Sequence, residues 1–261
     1  MTDIRAAADA IACARRTRAA LMPLAAAIAP KSESEGYLVQ EALHGFLTPD
    51  CGVRVGYKIG CTSPVMQQYL AIPHPCYGGV FAKGVYASGV SLASGDFVRV
   101  GVECEIAVRL GRDLVPSQAP FTADTIGHAV ETYLPAIEIV DDRYQEWQSL
   151  GLPTLVADDF FAAGCVLGKP VARSAAPDLL AIVGRALISG VEAGQGTGAD
   201  VLGHPLNALA WLANRLAASG KHLGAGEIVL TGSLVKTVWL RPGDTVTMDL
   251  QGLGSVSAAF A

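Results

Sequence analysis

The sequence predicts an α+β protein, a mixed β-roll or sandwich core preceded by a helical N-terminal segment. Two observations predict it: residues 2–28 are Ala-rich with apolar side chains at helical spacing, and from Val53 onward the chain turns to short β-rich runs separated by Gly and Pro. A third supports them. Of 261 residues, 51% are apolar and only 16% charged, which excludes disorder, supplies a sizeable core and implies surface hidden between subunits. We divide the chain into a helical segment, 1–50, and a β-rich domain, 51–261.

The elements follow in order. Ile4, Ile11, Leu21, Leu24 and Ile28 recur at helical spacing, so Thr2 to Ile28 is read as one amphipathic helix or a pair. Pro30 and "KSESEG" mark a turn, and "YLVQEALHGFL" gives a second short helix before Pro49. Strands are expected at "VRVGYKIG", "GGVFAKGVY", "DFVRVGVECEIAVRLG", "LPAIEIVDD", "FAAGCVLG", "ALISGVEAG", "EIVLTGSL" and "DTVTMDLQGLGSVSAAF". Two helices interrupt them, about Ala123 to Tyr133 and Pro205 to Ser219, the latter with Pro in its first turn and Gly220 to end it. Arg241-Pro242-Gly243-Asp244 reads as a type II turn, Pro setting the first central φ and Gly allowing the positive second one. No internal repeat appears.

Bulk chemistry narrows the function. A net charge of −5, with no Lys/Arg cluster interleaved with aromatics, argues against a nucleic-acid partner. Six scattered cysteines without C-x-x-C fit free thiols in a reducing compartment. Asp3, Asp9 and the cluster Arg15, Arg16, Arg18 interrupt the N-terminal apolar run, which reads neither as a signal peptide nor as a membrane span. A cytoplasmic enzyme or binding protein is the expectation.

Glu103 and Glu105 in "GVECEIAVRL" share one face of a strand, with Cys104 on the other. They are either surface charges or, if the face lines a cavity, a like-charged pair with raised pKa values unless a cation lies between them. Glu138 is a lone carboxylate in the apolar run Leu134 to Val140, a costly placement unless Arg143 pairs with it or a metal binds it. Three carboxylates without a His or Cys pattern suit a hard cation, Mg²⁺ or Mn²⁺. Lys58 stands between Gly56 and Gly60 on its strand face, so it is either a solvated edge-strand lysine or, near a divalent cation, a proton carrier with a depressed pKa. Thr231, Gly232 and Ser233 offer hydroxyls and N–H groups to a carboxylate, or merely end a strand. Tyr77 in "HPCYGG" is a polar handle or a packing group. The five histidines show no ligand spacing.

Together "GYKIGCTSPVMQ", "VECEIAVRLGRDL", "LPAIEIVDDRYQEW", "VADDFFAAGCVLG", "HPLNALAWLANRLAASGKHLGAGEIVLTGSL" and "GLGSVSAAF" resemble, in order and over nearly the whole chain, one branch of the fumarylacetoacetate hydrolase superfamily. That branch holds 2-keto-4-pentenoate hydratases and 4-oxalocrotonate decarboxylases. The resemblance implies a mixed β-roll core, a homo-oligomer and a catalytic role for the β-rich domain. It also implies a divalent metal on Glu103, Glu105 and Glu138, and a catalytic Lys58. Two departures stand out. "PCYG" puts Cys76 where the hydratases usually carry an acid, and "VADDF" puts Asp159 where Asn is usual.

The expected activity is hydration of a 2-hydroxy-2,4-dienoate to a 4-hydroxy-2-oxo acid in aromatic meta-cleavage-type catabolism. Lys58 moves protons with help from water or Tyr77, Ser233 holds the substrate carboxylate, and Thr231 and Arg143 are further substrate contacts. The alternatives are a 2-keto-3-enedioate decarboxylase, a diketo-acid C–C hydrolase, or a non-catalytic 2-keto-acid binder or partner subunit. The expected partners are the small-molecule acid, further copies of the chain and a pathway neighbour, with no membrane.

Overall fold

The computed structural model describes residues 2–69 and 71–261; Met1, at the head of the predicted helical segment, lies outside them. Helix α1 (Ile4–Thr17) starts where the Asp3 side chain accepts from the Ala6 N–H and stops at Arg18, left-handed with φ 55°. The predicted continuation to Ile28 is therefore absent, and Leu21 instead bridges to Tyr144. Helix α2 (Glu33–Cys51) is longer than the short helix expected. Ser32 caps the Glu35 N–H, Glu33 and Glu35 sit in the first turn beside the positive helix end, and Pro49 falls only two residues from the other end.

The chain continues through β1 (Arg54–Gly60), α3 (Pro64–Tyr69), β2 (Cys76–Phe81), β3 (Val85–Ala87), β4 (Val90–Leu92) and β5 (Val100–Leu110). Next come α4 (Ala123–Ile126), β6 (Val130–Asp141), α5 (Gly151–Ala157), β7 (Ala162–Leu167), β8 (Val171–Ala172), β9 (Val183–Ile188) and β10 (Val191–Thr197). Helix α6 (Pro205–Ala217), β11 (Ile228–Ser233), β12 (Val238–Trp239), β13 (Thr245–Leu250) and β14 (Gly254–Phe260) complete it. The helix expected over 123–133 shrinks to the single turn of α4, because from Val130 the chain pairs with β5 and β8 instead. Helix α6 and the turn at Arg241 form as expected; Gly243 has φ 92° and the Asp244 N–H donates to the Arg241 carbonyl at 3.1 Å.

Among the described residues the strands make two mixed sheets, the α+β architecture the sequence predicts. The nine-stranded sheet runs β2-β1-β11-β5-β6-β7-β3, with β12 added on β5 and β8 on β6; the five-stranded sheet runs β10-β9-β13-β14-β4. Val102, Cys104, Ile106 and Val108, one face of β5, pack in the main core with Met248 and Val256 of the second sheet and Leu209 of α6. The other face, with Ala107, Leu230 and Cys165, belongs to a smaller cluster, and this is the face that carries the charges. A third cluster ties α1, α2 and α5 together through Ile11, Leu43 and Leu155. Cys13, Cys51, Cys61, Cys76, Cys104 and Cys165 are all free. No helix among the described residues is long and apolar enough to cross a membrane.

Candidate active site

The antiparallel register of β5 and β6 sets Glu103 opposite Glu138 and Glu105 opposite Ala136. Directly opposed residues share a face, so the three carboxylates converge, each offering an oxygen within 4.8 Å of the others. Glu105 and Glu138 are not surface charges, being 0% and 1% exposed, and Glu103 is half-buried. The Gly232 N–H donates to Glu105 Oε2 at 2.8 Å, and the Thr237 hydroxyl donates to Glu103 Oε1. Glu105 Oε1 and Glu138 Oε2 find no donor among the described residues. Burial first, and the Glu138 charge second, push Glu103 up to about 7 and Glu105 well above the usual carboxylate range. Orphaned buried oxygens on an all-carboxylate donor set fit a hard divalent cation. Cys104 packs into the core on the opposite face, as alternation requires.

Lys58 is not on an edge strand, since β1 runs between β2 and β11. It is 3% exposed, with Nζ 2.8 Å from Glu138 Oε1. Burial pulls its ammonium down, but Glu138 and Glu103 outweigh it and hold the pKa above the ordinary lysine value, the reverse of the depression expected beside a metal. A divalent charge among those carboxylates would offset their attraction. The expected Arg143–Glu138 pair does not form. Arg143 is buried with its guanidinium at 3.1 Å and 3.2 Å from Asp158 Oδ2 and donates at 3.1 Å to the Ala162 carbonyl.

Two further expectations need correction. Tyr77 opposes Ile59 while Gly78 opposes Lys58, so the tyrosine points to the sheet face away from the lysine. There it stacks on Tyr37 at 4.2 Å between centroids and meets Tyr57 edge-on, as a packing group. The fully buried Thr231 gives its hydroxyl to the Ile106 carbonyl at 2.7 Å, a strand-to-strand tie rather than a substrate contact. The backbone N–H the "TGS" run was expected to offer is present at Gly232, but it serves Glu105. Ser233 opposes Glu105 and donates to the Val235 carbonyl at 2.7 Å.

The sequence reading missed the network around the Asp158–Asp159 pair. Arg15 of α1 donates to Asp158 Oδ1 at 2.5 Å and lies 3.2 Å from Asp159 Oδ2, and His44 Nε2 lies 2.6 Å from Asp159 Oδ1. Its one signal was the departure at "VADDF". Cys76 is buried beside Cys61.

A cavity of about 530 Å³ is lined by Lys58, Glu103, Ser233 and Thr237 together with Phe160, Phe161 and Trp239. A second, of about 340 Å³, touches Lys58, Glu138, Arg143 and Arg15. Lys58 thus belongs to the walls of both. Residues 82–261 match the family described as fumarylacetoacetate (FAA) hydrolase C-terminal. The chain belongs to the FAA hydrolase family. This family member is 37% identical over 95% of its length to a 2-keto-4-pentenoate hydratase of Paraburkholderia phymatum, covering 94% of that protein. It is 36% identical over its full length to 2-keto-4-pentenoate hydratase 1 of Dechloromonas aromatica, of which it covers 98%. Among solved structures, 4-oxalocrotonate decarboxylase from Pseudomonas putida, complexed with magnesium and adipate, superposes with a TM-score of 0.90 at 26% identity, covering 99% of this chain and 97% of that one.

Proposed function

We propose that this FAA hydrolase family member is a divalent-metal-dependent hydratase that converts a 2-hydroxy-2,4-dienoate to a 4-hydroxy-2-oxo acid, as in aromatic meta-cleavage catabolism. The observation that carries the reading is the carboxylate trio Glu103, Glu105 and Glu138, the first half-buried and the other two fully buried, with Lys58 against Glu138 at the wall of a ligand-sized cavity. Near-full-length similarity to hydratases supports it.

Glu103, Glu105 and Glu138 would hold Mg²⁺ or Mn²⁺, which supplies Lewis-acid polarisation of the substrate's 2-oxygen and neutralises the buried carboxylates. Lys58 Nζ delivers a proton to C5 as the 2-hydroxyl proton leaves to solvent, giving the conjugated 2-keto-3-enoate. The neutral amine then takes a proton from water as the water oxygen adds to C4, the ammonium returns one to C3, and the amine recovers from solvent the proton equivalent to the one the 2-hydroxyl released, so Lys58 ends as it began. Net, one water is added. The Ser233 hydroxyl, turned from Val235 toward the cavity, holds the substrate carboxylate. The free thiols fit a cytoplasmic location, and the low charged fraction fits a homo-oligomer.

A second reading, decarboxylation of a 2-keto-3-enedioate, is favoured by the fold match to the decarboxylase. One assay separates them. With Mg²⁺, a hydratase consumes the ultraviolet absorbance of a 2-hydroxydienoate without releasing CO₂, whereas CO₂ release from the enedioate with an inert dienoate would sink the first reading.

A further inference from the structure

Asp159, Phe160 and Phe161 are three consecutive residues in the left-handed region, with φ of 55°, 50° and 68°. Non-glycine side chains adopt that conformation at a cost, and a run of three persists only where the surroundings over-determine it. The determinant is Asp159. Its fully buried carboxylate accepts from the Gly79 N–H at 2.8 Å and is flanked by His44 and Arg15. Strand β2 leaves room for it, since a side-chain carbon at Gly78 would lie 2.5 Å from the Asp159 carbonyl oxygen.

The turn's product is two aromatic rings in the cavity wall. Phe160 lies under Lys58 Nζ, 5.5 Å from the ring centre, and Phe161 is set edge-on to Tyr144 at 4.9 Å and to Trp147 at 5.7 Å. Met66 and Trp239 line the same cavity and are 38% and 37% exposed, large apolar side chains left open to water where a ligand would cover them. Beyond Lys58 and Glu103, the charges lining it are Asp200 and Lys236, of opposite sign, and Asp200 already accepts from the Thr197 N–H and hydroxyl at 2.7 Å and 2.9 Å. At about 530 Å³ the cavity exceeds the needs of a five-carbon acid.

We propose that the left-handed turn Asp159–Phe161 is a specificity device, in which Phe160 and Phe161, with Met66 and Trp239, receive an apolar substituent on C5 of the dienoate and disfavour a carboxylate there. Asp159 is its positioning residue. The inference rests on the hydratase reading and deepens it by naming the substrate class. A C5 carboxylate would lose its hydration against apolar walls, whereas an alkyl chain gains from the same surface.

The test is kcat/KM of the wild-type protein with Mg²⁺ for 2-hydroxypenta-2,4-dienoate, its 5-methyl and 5-propyl derivatives, and the 5-carboxyl analogue. Values should rise with alkyl length, the propyl substrate exceeding both the unsubstituted and the carboxyl compounds by at least about tenfold. Phe161→Ala should lower the propyl-to-unsubstituted ratio by about tenfold, and Phe161→Leu should retain most of it. Asp159→Asn should act on the same ratio, mainly through KM for the propyl substrate. A flat series, or a preference for the carboxyl compound with Lys236 as its partner, overturns the proposal without recourse to any variant. Failure to hydrate even the unsubstituted dienoate overturns the hydratase reading instead, so the two failures are distinct.

Discussion

Each buried charge in this site is defined by what it faces. Lys58 offsets only part of three carboxylates, and Glu105 Oε1 and Glu138 Oε2 lack donors, so the protein alone leaves the cluster short of positive charge. Adding Mg²⁺ should stabilise the fold, by about 2.7 kcal/mol at a hundredfold excess over Kd. Glu105→Gln or Glu138→Gln should abolish most of the accompanying rise in Tm, read by scanning calorimetry with and without chelator; an unchanged Mg²⁺ response in both variants would remove the metal from this position. Lys58→Ala should lower kcat by about 10²–10⁴. Steady-state kinetics on a variant with native circular dichroism measures this, and a wild-type kcat would rule the lysine out as the proton carrier. Alternation along β5 made the adjacency of Glu103 and Glu105 legible in sequence. Their convergence with Glu138, and the pairing of Glu138 with Lys58 rather than Arg143, depended on strand register and sheet order, which local pattern does not encode.

Among the elements, strands were easier to read than helices. The longer β runs are rich in branched side chains and bounded by Gly and Pro, so they were legible, whereas β4, β8 and β12, two or three residues each, were not; "AVETY" after α4 has helical texture, yet pairing with β5 and β8 makes it strand. Tyr77 shows the same limit at finer grain, since only its pairing with Ile59 reveals which face it takes. The left-handed turn at Asp159 escaped the sequence because its anchors, Arg15, His44 and Gly79, lie far away in the chain. Burial opposes the Asp159 carboxylate, but His44, Arg15 and the Gly79 N–H outweigh it and hold its pKa well below the usual range. That stabilisation is present at any pH above the unfolded value, about 4, and is lost as pH falls through the depressed folded value. Asp159→Ala should therefore cost about 3–5 kcal/mol at pH 7, and the difference from wild type should shrink as pH drops below about 4. Urea titrations across that window measure it, and a difference independent of pH would show that Asp159 matters by shape alone.

At the level of the whole molecule, α1 is joined to the β core through Arg15, whose contacts with Asp158 and Asp159 reach the wall of the proposed substrate cavity. Arg15→Met should therefore raise KM for a C5-alkyl dienoate several-fold while leaving Mg²⁺ affinity unchanged, as measured by kinetics and titration calorimetry. Light scattering should give a mass that is a multiple of 27.0 kDa; a monomer would mean that the sparse surface charge is not explained by buried subunit contacts. The acid cluster sits on the central strands β5 and β6, while Phe160 and Phe161 come from the turn before β7, secured by contacts that none of the three glutamates shares. Under the specificity proposal, reactivity and taste for substrate come from separate stretches of chain that meet only where Phe160 lies 5.5 Å from Lys58 Nζ. Phe161, which does not sit under the lysine, is then the ring that could be exchanged to admit new dienoates while the acids and the lysine stay fixed.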